Sequence, residues 1–200
     1  MVVEPSPKAE LRRQLLAARR ALSPAAVEAA AQALARQALA LPELAGAGTV
    51  AAYVSVGTEP GTRALLDALR RHGARVLLPV LLPDNDLDWA AYEGPAGLAE
   101  TAHPGRMRLL EPTGPRLGPD AVTEADTVLL PGLAVDGRGM RLGRGGGSYD
   151  RVLARLERAG ARPSLVVLLY DDEVVARVPE EPHDHPVQAV ATPSGVRRFG

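Results

Sequence analysis

Glycine and arginine alternate through residues 132–147, and this composition favours binding of a phosphate group. Glycine lets successive backbone N–H groups turn toward an anion without a side chain in the way, while arginine supplies a fixed positive charge. We therefore take this segment as the first candidate for a functional site. It contains Arg138, Arg141 and Arg144 together with Gly132, Gly137, Gly139, Gly143, Gly145, Gly146 and Gly147.

The residues on either side of this loop predict the elements that would hold it. The apolar run Asp126–Leu130, closed by Pro131 and Gly132, is typical of a buried strand with a loop at its carboxyl end. Apolar residues recur at helical spacing over 149–156, so a helix is expected to begin at about Ser148. Because a helix N-terminus carries a partial positive charge, this order favours a phosphate site over a flexible surface loop, the ordinary interpretation of a glycine-rich run.

Other charged side chains are weaker candidates when taken alone. Lys8 and Arg12 are four residues apart in a predicted helix, so both project from one face and could address one polyanion. A solvated helix face is the commoner reason for such a pair. Arg19 and Arg20, further along the same helix, are expected to lie in solvent. Glu59 follows the first predicted strand, where an exposed loop carboxylate is the more ordinary interpretation.

Two histidines near the C-terminus raise the question of a zinc site. His183 and His185 flank Asp184 in a segment rich in proline and carboxylates. The chain contains no cysteine, and no third ligand is evident nearby, so the zinc signal is weak. A polar loop is the better interpretation of this pattern.

Alternation of apolar runs and helical patterns predicts a mostly parallel α/β fold preceded by a helical pair. Residues 7–40 have the spacing and capping residues of two helices. A β-α-β unit follows, because the predicted strands 49–54 and 75–82 flank a helix over 63–72, and ligands of such sheets bind at the carboxyl ends of the strands. Residues 87–92 are expected to form an edge strand and the rest of 83–118 mostly loop. Further buried strands are expected over 164–169 and 189–191.

Composition and length narrow the class of protein. The 200 residues allow a single domain over 1–200, and 46% apolar residues are enough for a full core. A net charge of −1 gives no general attraction to nucleic acid or to anionic membranes. The N-terminus lacks the apolar core of a signal peptide and no run is long enough to span a membrane, so we expect a cytoplasmic protein.

The glycine loop also carries a family resemblance. Residues 131–136, PGLAVD, followed by 141–151, RLGRGGGSYDR, resemble the signature of the 5-formyltetrahydrofolate cyclo-ligases, also called 5,10-methenyltetrahydrofolate synthetases. The chain departs from this signature at Val135, where an aromatic residue is usual, and at Ser148, where a tyrosine is usual. The resemblance extends to residues 8–12, KAELR, to 59–62, EPGT, and to 178–184, VPEEPHD. Gln188 stands where the family often has aspartate.

The resemblance implies a fold, a reaction and cofactors. The fold would be a three-layer α/β/α domain of the NagB/RpiA/CoA-transferase-like type. The reaction would be ATP- and Mg²⁺-dependent cyclisation of 5-formyltetrahydrofolate to 5,10-methenyltetrahydrofolate, through a phosphorylated formyl group and with release of ADP and phosphate. The folate could carry a polyglutamate tail, and the protein is expected to be a monomer or a weak homodimer. Since the chain has no Walker A motif, the glycine loop would have to hold ATP.

The resemblance also implies roles for single residues. Glu59 and Tyr149 would bind the folate, Asp150 and Asp184 would hold Mg²⁺, and Arg144 and Tyr149 would be catalytic. The variable region that ends at Glu111 would help to shape the folate pocket. ATP would be bound by Lys8, Arg12, Arg141, Gly143, Arg144, Gly145, Gly146, Gly147, Ser148 and Tyr149.

Some positions and two other classes of function stay open on the sequence alone. Trp89 and Tyr92 could stack on a pterin, although an aromatic residue in a strand is more often part of the core. Met107 and Arg108 are further candidates for the pocket and receive no role. A sugar-phosphate isomerase or acyl-CoA enzyme on the same fold would work without ATP hydrolysis. A non-catalytic nucleotide-binding protein would need neither Glu59 nor the paired aspartates.

Overall fold

The computed structural model describes residues 4–200, in which a sheet of seven strands forms the centre. Five of these strands are parallel, and only the two edge strands run antiparallel to their neighbours. This arrangement confirms the predicted mostly parallel sheet. The spatial order is β11 (Gly195–Arg198), β10 (Ala189–Thr192), β9 (Ser164–Leu168), β6 (Thr127–Leu130), β1 (Thr49–Ala51), β2 (Arg75–Leu81) and β3 (Leu87–Ala91).

Two short antiparallel hairpins stand outside this sheet. One pairs β4 (Leu98–Thr101) with β5 (Leu109–Pro112), in the region expected to be mostly loop. The other pairs β7 (Ala134–Val135) with β8 (Arg141–Leu142), inside the glycine-rich segment. The second hairpin divides that segment into a turn at 136–140 and a loop at 143–147.

The first two helices begin where the sequence places capping residues. Ser6 and Ser23 accept hydrogen bonds from the backbone N–H groups of Ala9 and Ala26, which confirms the predicted helical pair. Shorter 3₁₀ turns cover Pro95–Gly97, Pro119–Glu124 and Asp171–Glu173. The α-helices are α1 (Pro7–Arg20), α2 (Pro24–Leu39), α3 (Pro42–Ala45), α4 (Arg63–Arg71) and α5 (Ser148–Ala159).

Helices cover both faces of the sheet, which makes the three layers. Along each strand, alternate side chains enter opposite cores: Val50 and Leu129 pack with the residues of α2 and α4, whereas Ala51 and Leu130 pack with those of α5. A period of two residues is what a sheet buried on both sides requires. The three-layer α/β class is thus confirmed, while its assignment to a named superfamily and to a single domain over 1–200 stays a prediction.

The aromatic residues of β3 and the segment that follows it belong to the core. Trp89 is fully buried among apolar side chains, and the Tyr92 hydroxyl donates a hydrogen bond to Asp67. The interpretation of both as core residues therefore fits the structure better than stacking on a ligand. Among the helices within residues 4–200, none combines the length and apolarity needed to cross a bilayer.

Candidate active site

A cleft of about 940 Å³ opens where the parallel strands end. Tyr53 and Glu59 reach it from the segment after β1, Leu81 from the end of β2, and Pro131 from the turn after β6. The position follows the rule that open parallel sheets bind ligands at the carboxyl ends of their strands. Every residue for which the sequence predicted an ATP, substrate or metal role lines this cleft.

The glycine loop 143–147 connects β8 to the start of α5. Gly145 and Gly147 have φ values of +93° and +81°, a region that other residues rarely adopt. Arg12 packs against Gly145, since a Cβ there would stand 3.4 Å from the Arg12 guanidinium carbon. Gly147 is the N-cap of α5, and within residues 4–200 no side chain caps this helix. The first N–H groups of α5 can therefore bind an anion.

Four cations from two segments surround this loop. Lys8 and Arg12 come from α1, and the Arg12 Nε donates to the carbonyl of Gly143 at 2.8 Å. Arg141 and Arg144 come from the loop itself and its preceding strand, and all four line the cleft. Arg138, by contrast, turns away and pairs with Asp136 and Glu180. The predicted same-face arrangement of Lys8 and Arg12 thus leads both to the cleft rather than to a solvated face.

Two cleft residues hold buried polar atoms that have no partner among the described residues: Arg141 Nε and the Tyr149 hydroxyl. Arg141 is fixed by a hydrogen bond from Nη1 to the Pro131 carbonyl at 2.8 Å. Burial lowers the pKa of Arg141 and raises that of Tyr149, so the phenol stays protonated as a donor. A buried donor without a hydrogen-bond partner lowers the stability of the folded protein. Such donors are expected where a polar ligand binds and supplies the missing partner.

Glu59 is a buried carboxylate beside the glycine loop. Its Oε2 accepts the Val56 backbone N–H at 2.7 Å, and its Oε1 lies 3.8 Å from Arg144 Nη1. Burial raises the pKa of Glu59, and the opposing effects of the Val56 N–H and Arg144 offset this only in part. Such a shifted carboxylate in a cleft is a mark of a functional group rather than of an exposed loop residue.

A cluster of metal-binding residue types lies in the segment between β9 and β10. One ligand atom each from Glu181, His183 and Asp184 lies within 4.8 Å of the others. Asp184 Oδ2 accepts hydrogen bonds from Lys8 Nζ and from the Glu181 backbone N–H, both at 2.7 Å. Asp150 lines the same cleft but stands outside this cluster, with its Oδ1 4.0 Å from Arg141 Nη2.

The two histidines of that segment do not converge. His185 Nε2 lies 3.6 Å from Glu157, while His183 points to Glu181 and Asp184. This geometry agrees with the polar loop expected from the sequence rather than with a two-histidine zinc site. Glu181 is the residue that sequence reasoning left without a role, although it is part of the quoted 178–184 motif.

The expectation that Arg19 lies in solvent is wrong. Only 2% of Arg19 is exposed, and its guanidinium pairs with Glu173 and with the carbonyl of Gly132. The eleven-residue spacing from Lys8 places Arg19 on the same face of α1, but spacing could not reveal its partner, since Glu173 lies 154 residues further along the chain. Arg20 is exposed, as expected.

Three further residues shape the cleft and were missed or left open. Tyr53 is 4% exposed and lines the cleft, but its place in an apolar run indicated only a buried strand. Met107 lines the cleft from the β4–β5 hairpin, as does Arg106, whereas Arg108 instead pairs with Glu100 outside it. The hairpin residues carried no periodic signal from which their position could be derived.

The departures from the family pattern have different surroundings. Val135 is fully buried in the core, and Ser148 is the first residue of α5 and lines the cleft. Gln188 caps a strand, since its Oε1 accepts the Leu165 N–H. Ser148 is thus the departure that touches the site. Glu111 is buried beside the cleft, where it accepts the Leu81 N–H at 2.7 Å.

Comparison with known proteins identifies relatives over nearly the whole chain. A model of the 5-formyltetrahydrofolate cyclo-ligase family matches residues 4–193. The chain is 43% identical over 196 residues to the 5-formyltetrahydrofolate cyclo-ligase of Mycolicibacterium smegmatis, covering 96% of each chain. It is 34% identical over 180 residues to that of Escherichia coli, covering 89% of this chain and 96% of the relative.

Solved structures agree with these relatives. The 5,10-methenyltetrahydrofolate synthetase of Aquifex aeolicus has a TM-score of 0.77 at 29% identity, covering 96% of this chain and 92% of the other. The synthetase of Mycoplasma pneumoniae has a TM-score of 0.70 at 20% identity, covering 94% and 99%, and supports the fold alone. Because the family match, the sequence relatives and the glycine-loop cleft all coincide, this chain belongs to the 5-formyltetrahydrofolate cyclo-ligase family of enzymes.

Proposed function

We propose that the protein converts 5-formyltetrahydrofolate to 5,10-methenyltetrahydrofolate with consumption of ATP. The observation that carries the proposal is the position of Arg144. It stands on the glycine loop and its Nη1 lies 3.8 Å from Oε1 of the buried Glu59. A phosphate on the loop and a folate on Glu59 would therefore meet at one cation, as transfer of a phosphoryl group between them requires.

The chemistry explains why a nucleotide is needed. A formamide oxygen is a poor leaving group, so it first attacks the γ-phosphorus of ATP, forming an O–P bond as the bond to the ADP oxygen breaks. Nitrogen 10 of the folate then attacks the activated formyl carbon. Phosphate departs with the former formyl oxygen and nitrogen 10 loses its proton, which leaves the cyclic amidinium of the methenyl product.

Phosphoryl transfer asks the protein mainly for positioning and for neutralisation of charge. Lys8, Arg12, Arg141 and Arg144 supply four positive charges in the cleft, and the N–H groups of residues 143–148 supply further donors. Because these groups are held before the reaction, they need no reorganisation as charge develops. We assign Arg144 the role of stabilising the transferred phosphoryl group.

Glu59 and Tyr149 are assigned to the folate. An ionised Glu59 can accept the two N–H groups of the pterin amide edge, and this pairing would compensate the desolvation that raises its pKa. The protonated Tyr149 hydroxyl can donate to a folate or formyl oxygen, which would satisfy a donor that has no partner in residues 4–200. Tyr53 completes the wall beside both residues.

The residues at the cleft also suit Mg²⁺, which prefers hard oxygen ligands and accompanies nucleotide phosphates. Asp150 and Asp184 both line the cleft, and Glu181 adds a third carboxylate within the Asp184 cluster. We propose that Asp150 and Asp184 hold the ion and that Glu181 contributes to the same site. When bound there, Mg²⁺ would neutralise charge on the triphosphate.

The deciding experiment follows the absorbance of the methenyl amidinium after purified protein is mixed with 5-formyltetrahydrofolate. Parallel reactions omit ATP, omit MgCl₂ or contain the Arg144→Ala variant. We expect product only with ATP and Mg²⁺ present and far less with the variant. Product formed without ATP would overturn the proposed reaction. No product, with ATP still bound, would mean that the folate assignment is wrong.

A further inference from the structure

Arg19 is a buried charge on α1 that lies outside the cleft. Its Nε and Nη2 donate to the two carboxylate oxygens of Glu173 at 2.7 and 3.0 Å, a bidentate pair of defined geometry. Both side chains are almost fully buried. Apolar residues of similar volume can often replace such a pair without loss of stability, so stability alone is a weak reason for it.

The same guanidinium reaches the turn that supports the cleft. Arg19 Nη2 donates to the Gly132 carbonyl at 2.7 Å, while Arg141 donates to the preceding carbonyl, that of Pro131, at 2.8 Å. A Cβ on residue 132 would stand 3.3 Å from Arg141 Cγ, so the turn backbone packs directly on that side chain. Arg19 and the cleft residue Arg141 thus hold consecutive carbonyls of one turn.

Helix α1 links Arg19 to two more cations of the cleft. Arg19 follows Lys8 by eleven residues, or about three turns, so Lys8, Arg12 and Arg19 lie along one helix face. Between them, the leucines of α1 pack on Leu133, Leu142 and Val178. Apolar contact is non-directional, whereas the bidentate pair fixes both the rotation and the axial position of the helix.

We propose that Arg19 and Glu173 are positioning residues for nucleotide binding. The pair fixes the C-terminal end of α1 and the 131–132 turn, and through them it aligns Lys8, Arg12 and Arg141 on one triphosphate. The inference rests on the proposed function, because it takes ATP as the ligand of these cations. Neither Arg19 nor Glu173 lines the cleft, so both would act through these residues rather than on the ligand.

The test uses the double variant Arg19→Met/Glu173→Leu, which removes the pair without leaving one charge buried and unpaired. Arg19→Lys keeps the charge but loses the bidentate geometry, and Arg20→Met is the matched control at the exposed neighbour. Each protein is measured for its thermal unfolding midpoint, its Kd for ATP by calorimetry, and its KM for ATP and for 5-formyltetrahydrofolate.

We expect both Arg19 variants to weaken ATP binding about tenfold or more, because a small displacement of Lys8, Arg12 and Arg141 would weaken their contacts with the triphosphate. The KM for folate should change less than the Kd for ATP, since Arg19 acts on Glu59 only through its charge, and Arg20→Met should stay close to the wild type. Unchanged ATP affinity in the Arg19 variants would overturn the proposal. So would losses for ATP and folate that are equal and follow the unfolding midpoint. If the double variant does not fold, Arg19→Lys decides by the same criteria.

These outcomes are distinct from failure of the proposed function. If the wild type neither binds ATP nor forms product, the assigned reaction fails whatever the variants do. If the wild type is active and the Arg19 variants bind ATP as it does, only the positioning role fails.

Discussion

Lys8 Nζ lies 2.7 Å from Asp184 Oδ2 and 2.8 Å from Glu181 Oε2, so a cation assigned to phosphate is paired with carboxylates assigned to a metal ion. Although burial opposes it, hydrogen bonding to these carboxylates raises the pKa of Lys8. Burial alone would raise the pKa of Asp184. The hydrogen bond from Lys8 is among the interactions that outweigh burial and lower this pKa. Because this ion pair joins the two assigned sites, a phosphate bound at Lys8 and a metal ion bound at Asp184 would affect each other electrostatically.

Lys8→Met should weaken ATP binding. It removes a charge-assisted hydrogen bond to phosphate, a contact worth about 1.5–3 kcal/mol, which corresponds to about ten- to a hundredfold in Kd. Calorimetric titration of ATP at fixed MgCl₂ measures the change. Arg13→Met is the matched control, since Arg13 lies on the exposed side of α1 and, within residues 4–200, pairs with Glu10 alone. An unchanged Kd for Lys8→Met would remove Lys8 from the nucleotide site.

Asp150→Asn and Asp184→Asn should each reduce the gain in ATP affinity that Mg²⁺ provides. The amide keeps the shape of the side chain but loses the negative charge that the ion requires. The measurement is the ratio of Kd for ATP without and with MgCl₂, which does not depend on turnover. Glu181→Gln tests the neighbouring carboxylate in the same way. If Asp150→Asn keeps the full ratio while Glu181→Gln loses it, Mg²⁺ belongs to the Glu181 and Asp184 cluster without Asp150.

The fold and the phosphate loop could be predicted because their signals are local. Apolar runs such as 127–130 are buried over their whole length, and serines stand at the starts of α1 and α2. Gly145 and Gly147 of this loop have positive φ values, a backbone conformation that depends on residue type. Periodicity and composition are sufficient for such features.

The remaining features depend on contacts between distant parts of the chain. Helical spacing places Arg19 on the face of Lys8 and Arg12, but its burial also depends on its pairing with Glu173, which lies on a far turn. The β4–β5 hairpin was missed because β4 is half exposed and lacks a clean alternation. The Lys8 and Asp184 pair joins residues 176 positions apart, so no spacing rule could indicate it.

Glu59→Gln should raise thermal stability at neutral pH while it slows turnover. Because folding raises the pKa of Glu59, the protonated carboxyl group favours the folded state, and this contribution to stability is complete below the ordinary glutamate pKa. The contribution is lost as the pH rises through the pKa that Glu59 has in the folded protein. Glutamine removes the cost of the buried ion, so the unfolding midpoint should exceed that of the wild type at pH 8. This difference should shrink toward pH 4.

The control for that experiment is the exposed residue Glu93. Glu93→Gln should follow the wild type across the pH range. A Glu59→Gln midpoint that stays below the wild type at pH 8 would mean that the ionised carboxylate is stabilised in the folded protein, contrary to the dominant effect of burial. Activity unaffected by the change would remove Glu59 from the folate site.

Arg144→Ala should reduce turnover far more than it affects folding. The side chain is 41% exposed, and its ion pair within residues 4–200 is a long one, to Glu59, so truncation should cost little folding stability. Removing a preorganised donor from a site of developing charge commonly costs about 100- to 1,000-fold in kcat. Comparison of kcat with the unfolding midpoint separates the two effects, and Arg158→Ala, on an exposed position of α5, serves as the control. Parallel loss of kcat and stability would contradict the catalytic assignment, because it would make Arg144 a support of the loop rather than a group that acts on the phosphate.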